Sequence, residues 1–168
     1  MIVTLKKIKT FPGHEGTALD CDLAVDGVVT AHFHDAGDGG GPLIHPVPGQ
    51  AEQFDALEAA IKVMPPKPVI EAEERALWPD GMPVDLDLLV WEAFDANERM
   101  KEFRRWCRTQ TCYRLTRDEL GSYRCLKTIY TEKVGEQLRG RFPQLEEILN
   151  ETVAGATGKA PTFTVPDW

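Results

Sequence analysis

The sequence has one short segment rich in residues that can bind a metal ion, where His32 and His34 are followed directly by Asp35. On a β-strand, residues 32 and 34 point to the same face, so the two imidazoles could share a metal ion with a carboxylate beside them. The glycine-rich loop that follows could bring back Asp38 or His45 as a third ligand. One hypothesis is therefore a metal-dependent hydrolase or nuclease that uses His32, His34 and Asp35.

The same segment also fits a purely structural interpretation, which the sequence favours. Ala31 and Phe33 would face the core, and His32 and His34 would lie on the polar face of an amphipathic strand. The segment has no cysteine pair at zinc spacing and no second cluster of ligands. We therefore expect no bound metal and no cofactor.

Other catalytic motifs find little support. The glycines of residues 37–41 are followed by Pro42 and not by a helix, as a phosphate-binding loop would require. Ser122, the one serine, precedes a predicted strand and does not lie in a nucleophile elbow. Cys112 and Cys125 are expected on the two arms of one hairpin, where cross-strand packing explains them.

Charge is distributed unevenly along the 168 residues. Residues 1–97 hold six Lys/Arg against seventeen Asp/Glu, a net −11, whereas residues 98–168 carry +3, for a total of −8. Such asymmetry creates a field that can steer a charged macromolecule to one face. We expect a partner-binding acidic surface in the first part, comprising Glu71, Glu73, Glu74, Asp80 and Asp85.

Nine basic residues between 99 and 127 form the opposite feature. They predict a basic face that includes Arg104, Arg105, Arg108, Arg114 and Arg124. Three interpretations stay open: arginines paired with the acidic N-terminal half, a protein-binding surface, or direct nucleic-acid contact with the interleaved aromatic residues. The acidic balance of the whole chain makes the third the least favoured.

The elements that must position these residues can be read from the pattern. Alternation predicts strands over residues 2–9, 17–25 and 28–34, the last two joined by the hairpin signal Asp26-Gly27. Helical spacing predicts helices over 50–63 and from 84 to about 107.

The second half of the chain is predicted to continue the mixed pattern. A hairpin is expected around Gly121, followed by a helix that Thr131 caps and that resumes from Pro143 to Asn150. The predicted fold class is α+β, with an antiparallel sheet (a three-stranded meander and a later hairpin) packed against two or three helices in the order βββ-α-α-ββ-α. We predict a single domain over residues 1–151 and a C-terminal tail over 152–168.

Two stretches of this sequence resemble small uncharacterised proteins encoded by phages and prophages of bacteria. The shared residues are glycines and strand residues, so they carry no active site: Gly13-His14-Glu15-Gly16, Asp22-Leu23, Gly27, Ala31, Asp35 and Gly37-Asp38-Gly39-Gly40, then Tyr123-Arg124-Cys125-Leu126-Lys127, Tyr130, Val134 and Leu138. The resemblance implies a phage-borne accessory protein that binds and blocks a host defence complex, such as a CRISPR effector.

The leading functional expectation is therefore a non-enzymatic protein-binding module. Its acidic surface would occupy a basic site that normally holds nucleic acid, in a host protein or nucleoprotein complex. No apolar run approaches the length of a membrane span, so we expect a protein of the bacterial cytoplasm with no membrane partner.

Overall fold

The computed structural model of the protein describes residues 1–69, 72–155 and 160–166. Two compact units divide the chain: unit 1 comprises residues 1–95 and 160–168, and unit 2 comprises residues 96–159. The sequence predicted one domain over residues 1–151 and a tail over 152–168. Within that predicted tail, residues 152–155 end a helix and residues 162–164 form a strand of unit 1.

Thirteen elements are described along the chain. In chain order they are β1 (Ile2–Pro12), β2 (Thr17–Val25), β3 (Val28–Asp35), β4 (Leu43–Pro46), α1 (Ala51–Lys62), α2 (Ala72–Leu77), α3 (Leu86–Cys107), β5 (Thr111–Leu115), β6 (Arg124–Leu126), α4 (Glu132–Arg141), β7 (Leu145–Ile148), α5 (Leu149–Gly155) and β8 (Thr162–Thr164). The predicted α+β class is confirmed. None of the helices described is long and apolar enough to cross a membrane.

Unit 1 is built on a five-stranded antiparallel sheet with the order β4-β3-β2-β1-β8. The predicted Asp-Gly turn closes the β2–β3 hairpin, where Val25 pairs with Val28. Asp26 and Gly27 have φ angles of 47° and 93°, as the tight turn that matches strand twist requires. The meander predicted from alternation is present, and β4 and β8 extend it on both sides.

One face of this sheet carries the core of unit 1. Leu5, Leu23 and Phe33 are at most 1 % exposed and project from three neighbouring strands. The apolar residues of α1, with Leu57 fully buried, and those at the start of α3 cover this face. The opposite face carries mainly polar side chains, which is the period-2 arrangement of a half-buried sheet.

Unit 2 holds a three-stranded sheet with the order β6-β5-β7, in which Cys112 lies opposite Cys125. The helix predicted over residues 143–150 is wrong. Residues 145–148 form β7, because they pair with β5 and bury Ile148 beside Tyr113 and Leu138. The helix predicted after Thr131 is present as α4, with the Thr131 hydroxyl accepting a hydrogen bond from the Val134 amide.

Candidate functional site

The outer face of the unit 1 sheet carries two histidine–aspartate pairs side by side. His32 Nδ1 lies 2.6 Å from Asp22 Oδ1, and His34 Nδ1 lies 2.5 Å from Asp20 Oδ1. Each pair joins residues directly opposite each other on β2 and β3. A carboxylate at Nδ1 orients the imidazole and leaves Nε2 as the nitrogen that can exchange a proton with a ligand.

A third group completes the first of these pairs. A bulge in β1 gives Lys7 a φ of 50°, and Lys7 Nζ lies 2.8 Å from Asp22 Oδ2. The hydrogen bond from Lys7 lowers the pKa of Asp22; burial opposes that shift, and His32 adds to it. At neutral pH the Asp22 carboxylate is therefore ionised and held between two basic groups.

The proposed metal ligands are not brought together. His32 and His34 share the outer face, but Asp35 is buried, with its Oδ2 accepting a hydrogen bond from Trp91 Nε1 at 2.9 Å. Asp35 Oδ1 accepts a second hydrogen bond, from the Gly37 amide. Within the described part of the chain, no group of three or more His, Cys, Asp or Glu residues is arranged to hold a metal ion.

The surface around the two pairs is shallow. A depression of about 300 Å³ is lined by lysines of β1, aspartates of β2 and histidines of β3. His45 on β4 lies opposite His32 and extends this polar face. Chemically, the arrangement is suited to proton transfer or to holding a small anion between imidazole and ammonium groups.

A second feature is the segment of residues 65–83, described except for residues 70 and 71, which we call the acidic lobe. Its ends are joined where the Lys67 and Met82 amides each donate to the other's carbonyl oxygen, both at 2.9 Å. Gly81 has a φ of 99°, and a Cβ there would lie 2.7 Å from the Lys67 carbonyl oxygen. Only glycine allows this close approach, so the bridge between Lys67 and Met82 forms a fixed neck at the base of the lobe.

The acidic lobe exposes large apolar side chains. Leu77 is 74 % exposed and Trp78 is 42 % exposed, at the end of α2. Trp78 also lines a groove of about 400 Å³ together with Pro66 and Val69. Exposed leucine and tryptophan residues that are adjacent in sequence are typical of an anchor that a partner protein covers.

Three of the five predicted acidic residues have exposed side chains near this anchor in sequence. Glu74 and Asp80 are exposed within the lobe, and Asp85 follows it. Asp85 also caps α3, because its Oδ1 accepts a hydrogen bond from the Leu88 amide at 2.8 Å. Glu73 lies in α2, and Glu71 lies outside the described residues.

The predicted basic residues are distributed over unit 2, and some are engaged by its own carboxylates. Arg114 forms a two-point contact with Glu146, at 3.0 and 3.1 Å, and Arg124 contacts Asp118 at 2.6 Å. These carboxylates lie in unit 2, and not in the acidic N-terminal half that the sequence had offered as partner. On α3, Arg104 is half-buried and Arg105 is exposed; Arg108, just beyond the helix end, is also exposed.

The Arg124 contact has an electrostatic consequence. The hydrogen bonds from its guanidinium, with a further one from the Leu115 amide, hold the pKa of Asp118 at about 2. Arg114 and Arg124 thus serve salt bridges within unit 2 in this structure. Among the five predicted basic residues, Arg105 and Arg108 are exposed and take no part in these two salt bridges.

Comparison with protein-family models, with curated proteins and with solved structures gave no match to this chain. The interpretation of the site therefore depends on its geometry.

Two parts of that geometry were missed by the sequence analysis. The aspartates opposite the histidines required the strand register, and the anchor at Trp78 lay in the proline-rich stretch between the two predicted helices. A Leu-Trp pair within an acidic, proline-bounded segment was the available signal for the anchor.

Proposed function

We propose that this protein is a non-enzymatic binding module whose acidic lobe docks on a basic surface of a partner protein. The observation that carries the proposal is the exposure of Leu77 and Trp78 on a lobe with a fixed neck. Tryptophan is enriched among the few interface residues that supply most of a binding free energy. The carboxylates of Glu74, Asp80 and Asp85 would form the charged rim around that anchor.

The charge of each unit supports a basic partner. Unit 1 carries a net charge of −12 by sequence and unit 2 carries +4, so the structural division coincides closely with the change of sign along the chain. An acidic body attracts a basic partner over about 10 Å at moderate ionic strength and raises the association rate. The lobe belongs to the acidic unit, so charge and apolar anchor would act on the same partner.

The resemblance to phage-encoded proteins supports a finer form of this proposal. The partner would be a host defence complex, such as a CRISPR effector, inside a bacterial host cell. The acidic lobe would occupy a basic site that otherwise holds nucleic acid. Binding of the protein and binding of nucleic acid would then compete.

A comparative capture experiment tests the proposal. The purified protein, immobilised, is exposed to a bacterial lysate beside two charge variants, and the recovered proteins are quantified by mass spectrometry. The first variant neutralises the predicted surface, with Glu71→Gln, Glu73→Gln, Glu74→Gln, Asp80→Asn and Asp85→Asn. The matched control neutralises five acidic residues of unit 1 outside the lobe, with Glu15→Gln, Glu52→Gln, Asp55→Asn, Glu58→Gln and Asp95→Asn.

The expected result is a partner that the unmodified protein and the control recover and the lobe variant does not. Trp78→Ala should lose the same partner without any change in net charge. Added nucleic acid should displace it if the finer proposal holds. Recovery of the same proteins in equal amounts by all variants would contradict a role for the acidic lobe.

A second candidate function is favoured by the paired histidines. Two imidazoles, each oriented by a carboxylate and flanked by lysines, could transfer protons during cleavage of a phosphodiester. Since Asp35 faces the core, the metal-dependent form of this idea lacks the carboxylate that it required beside the two imidazoles. Cleavage of single-stranded RNA in the presence of EDTA, abolished by His32→Gln or His34→Gln, would support this second function over the first.

Nucleic-acid binding without cleavage is tested separately. Replacing Arg105 and Arg108 by Gln should weaken a genuine nucleic-acid complex, and the complex should weaken steeply as salt rises. An oligonucleotide that binds equally to the unmodified protein and to this variant would exclude that face as the site.

A further inference from the structure

Three of the four cysteines come together in unit 2. Cys112 and Cys125 lie directly opposite each other on β5 and β6, with their Sγ atoms 2.9 Å apart. Cys107, at the end of α3, packs against the apolar cluster that contains Cys112. The fourth, Cys21, is a buried core residue of unit 1, and burial raises its pKa to about 12.

We propose that Cys112 and Cys125 form a thiol–disulfide modification site, in which a hydroperoxide oxidises Cys125 and Cys112 then closes a disulfide between β5 and β6.

The strand geometry fits such a bond. The Cys112 amide donates to Asn150 Oδ1 at 2.8 Å, so it does not serve the ladder to β6. The Cys112–Cys125 pair is therefore of the non-hydrogen-bonded kind, in which opposite Cα atoms lie about 4.5 Å apart and side chains are closest. A disulfide accepts Cα separations from about 4.4 to 6.8 Å, so the bond needs little backbone movement.

The two thiols differ in a way that sets the order of reaction. Cys125 is exposed on an edge strand and can meet a peroxide from solvent, whereas Cys112 is fully buried. Burial, and then the neighbouring Cys125, raise the pKa of the Cys112 thiol, so it stays protonated until it reacts. Oxidation therefore begins at Cys125, and Cys112 is the resolving thiol.

The chemistry balances in two steps. The Cys125 thiolate attacks one oxygen of the hydroperoxide, whose O–O bond breaks to release an alcohol (or water), leaving a sulfenic acid on Cys125. The sulfur of Cys112 then attacks the Cys125 sulfur; its proton and the departing hydroxide leave as water. Two thiols have lost two electrons and two protons, and the peroxide has gained them.

The bond would act on a weakly held element. β6 has three residues, all exposed, and lies at the edge of its sheet. A covalent link to the buried central strand β5 would fix this edge, and a dithiol reductant would release it. The disulfide would thus determine whether the segment that carries Arg124 and Lys127 is held in place.

Peptide mapping tests the proposal on the full chain, because trypsin places each thiol on a separate peptide. Cleavage after Lys and Arg leaves Cys107 in residues 106–108, Cys112 in 109–114 and Cys125 in 125–127. Reduced protein is treated with hydrogen peroxide, alkylated and digested without reductant. We expect the peptides 109–114 and 125–127 joined, and separated again by dithiothreitol.

Two variants complete the test without disturbing the buried Cys112. Cys107→Ser should keep the link, and Cys125→Ser should lose it, with circular dichroism confirming that both fold. A link through Cys107 in the unmodified protein, or stable sulfinic acid on Cys125 with Cys112 still alkylated, would overturn the proposal.

Discussion

At the level of single residues, Lys7 shows how a polar contact can fix an unusual backbone. Its φ of 50° lies in the left-handed region, which costs a lysine about 1 kcal/mol. The bulge that creates this conformation places its ammonium group 2.8 Å from the Asp22 carboxylate, which is only 9 % exposed. Asp22 also contacts His32, so its negative charge is the centre of the polar sheet face.

Replacing Asp22 tests this arrangement through pH. The folded-state pKa of Asp22 is lowered, so its stabilising effect is present above the unfolded-state pKa and is lost as pH falls through the folded-state pKa. We expect Asp22→Asn to lower the free energy of unfolding by about 1–3 kcal/mol at pH 7. The difference from the unmodified protein should shrink in acid, as measured by urea unfolding across pH.

The matched control is Asp55→Asn on α1, an exposed carboxylate away from the sheet. It should change the unfolding free energy by less than about 0.5 kcal/mol at any pH. A constant deficit for Asp22→Asn at all pH values would mean that shape, and not charge, accounts for its effect.

Asp118 gives a second residue-level test. Its pKa should be about 2 in the native protein, because Arg124 and the Leu115 amide hold the ionised form. Arg124→Gln should raise that pKa towards the ordinary value, and Arg117→Gln, at an exposed arginine, should leave it nearly unchanged. Carboxyl-detected NMR titration measures the pKa of Asp118 in the unmodified protein and in both variants. A native Asp118 that titrates near pH 4 would contradict the structure.

At the level of elements, strand register decided what the sequence could predict. Alternation correctly indicated the strands and the Asp-Gly turn. If the pairing register next to that turn continued unchanged along the hairpin, His32 would lie opposite Cys21. The register shifts by one between Leu23 and Ala24, which leaves Thr30 as the extra residue and moves His32 opposite Asp22. A bulge of this kind leaves little signature in one sequence, so the histidine–aspartate pairs emerged only from the structure.

The misassigned segment over residues 143–150 has a similar cause. Its apolar positions fit either a short helix or a strand, and periodicity alone does not separate the two. Pairing with β5 decided in favour of β7, and the chain then turned into α5 at Leu149. Tertiary contact thus outweighed local preference.

Asn150, at the start of α5, offers an element-level prediction. Its side chain accepts from the Cys112 amide and donates to the carbonyl oxygens of Cys107 and Gln110, so it joins three elements of unit 2. Asn150→Ala would leave these groups without partners and should cost about 2–4 kcal/mol. Denaturant unfolding measures the loss.

Gln137→Ala, on the exposed side of α4, serves as the control and should be nearly neutral. Hydrogen exchange at the Cys112 amide adds a local readout, and should accelerate in Asn150→Ala alone. An unchanged exchange rate there would show that Asn150 does not hold β5.

At the level of the whole molecule, charge and apolar exposure meet in unit 1. The sequence revealed the charge asymmetry directly, because counting charges needs no structure. It did not reveal that Trp78 is exposed, since that depends on the lobe closed by Lys67 and Met82. The proposed docking function depends on the lobe acting as one surface, with steering by charge and anchoring by Trp78.

Binding kinetics with the captured partner separate these two contributions. Neutralising the acidic residues of the lobe should slow association, and the difference should fade at high salt, because rim charges act mainly on the encounter. Trp78→Ala should accelerate dissociation at least about 10-fold with little change in association, because a buried anchor acts on the formed complex. Val63→Ala, at an apolar residue 60 % exposed outside the lobe, is the matched control.

The dissociation rate of Trp78→Ala is the most direct measurement. The proposed docking predicts a rate at least about 10-fold above that of the unmodified protein, with Val63→Ala within about 2-fold of it. A Trp78→Ala rate equal to that of the unmodified protein would contradict docking through the acidic lobe.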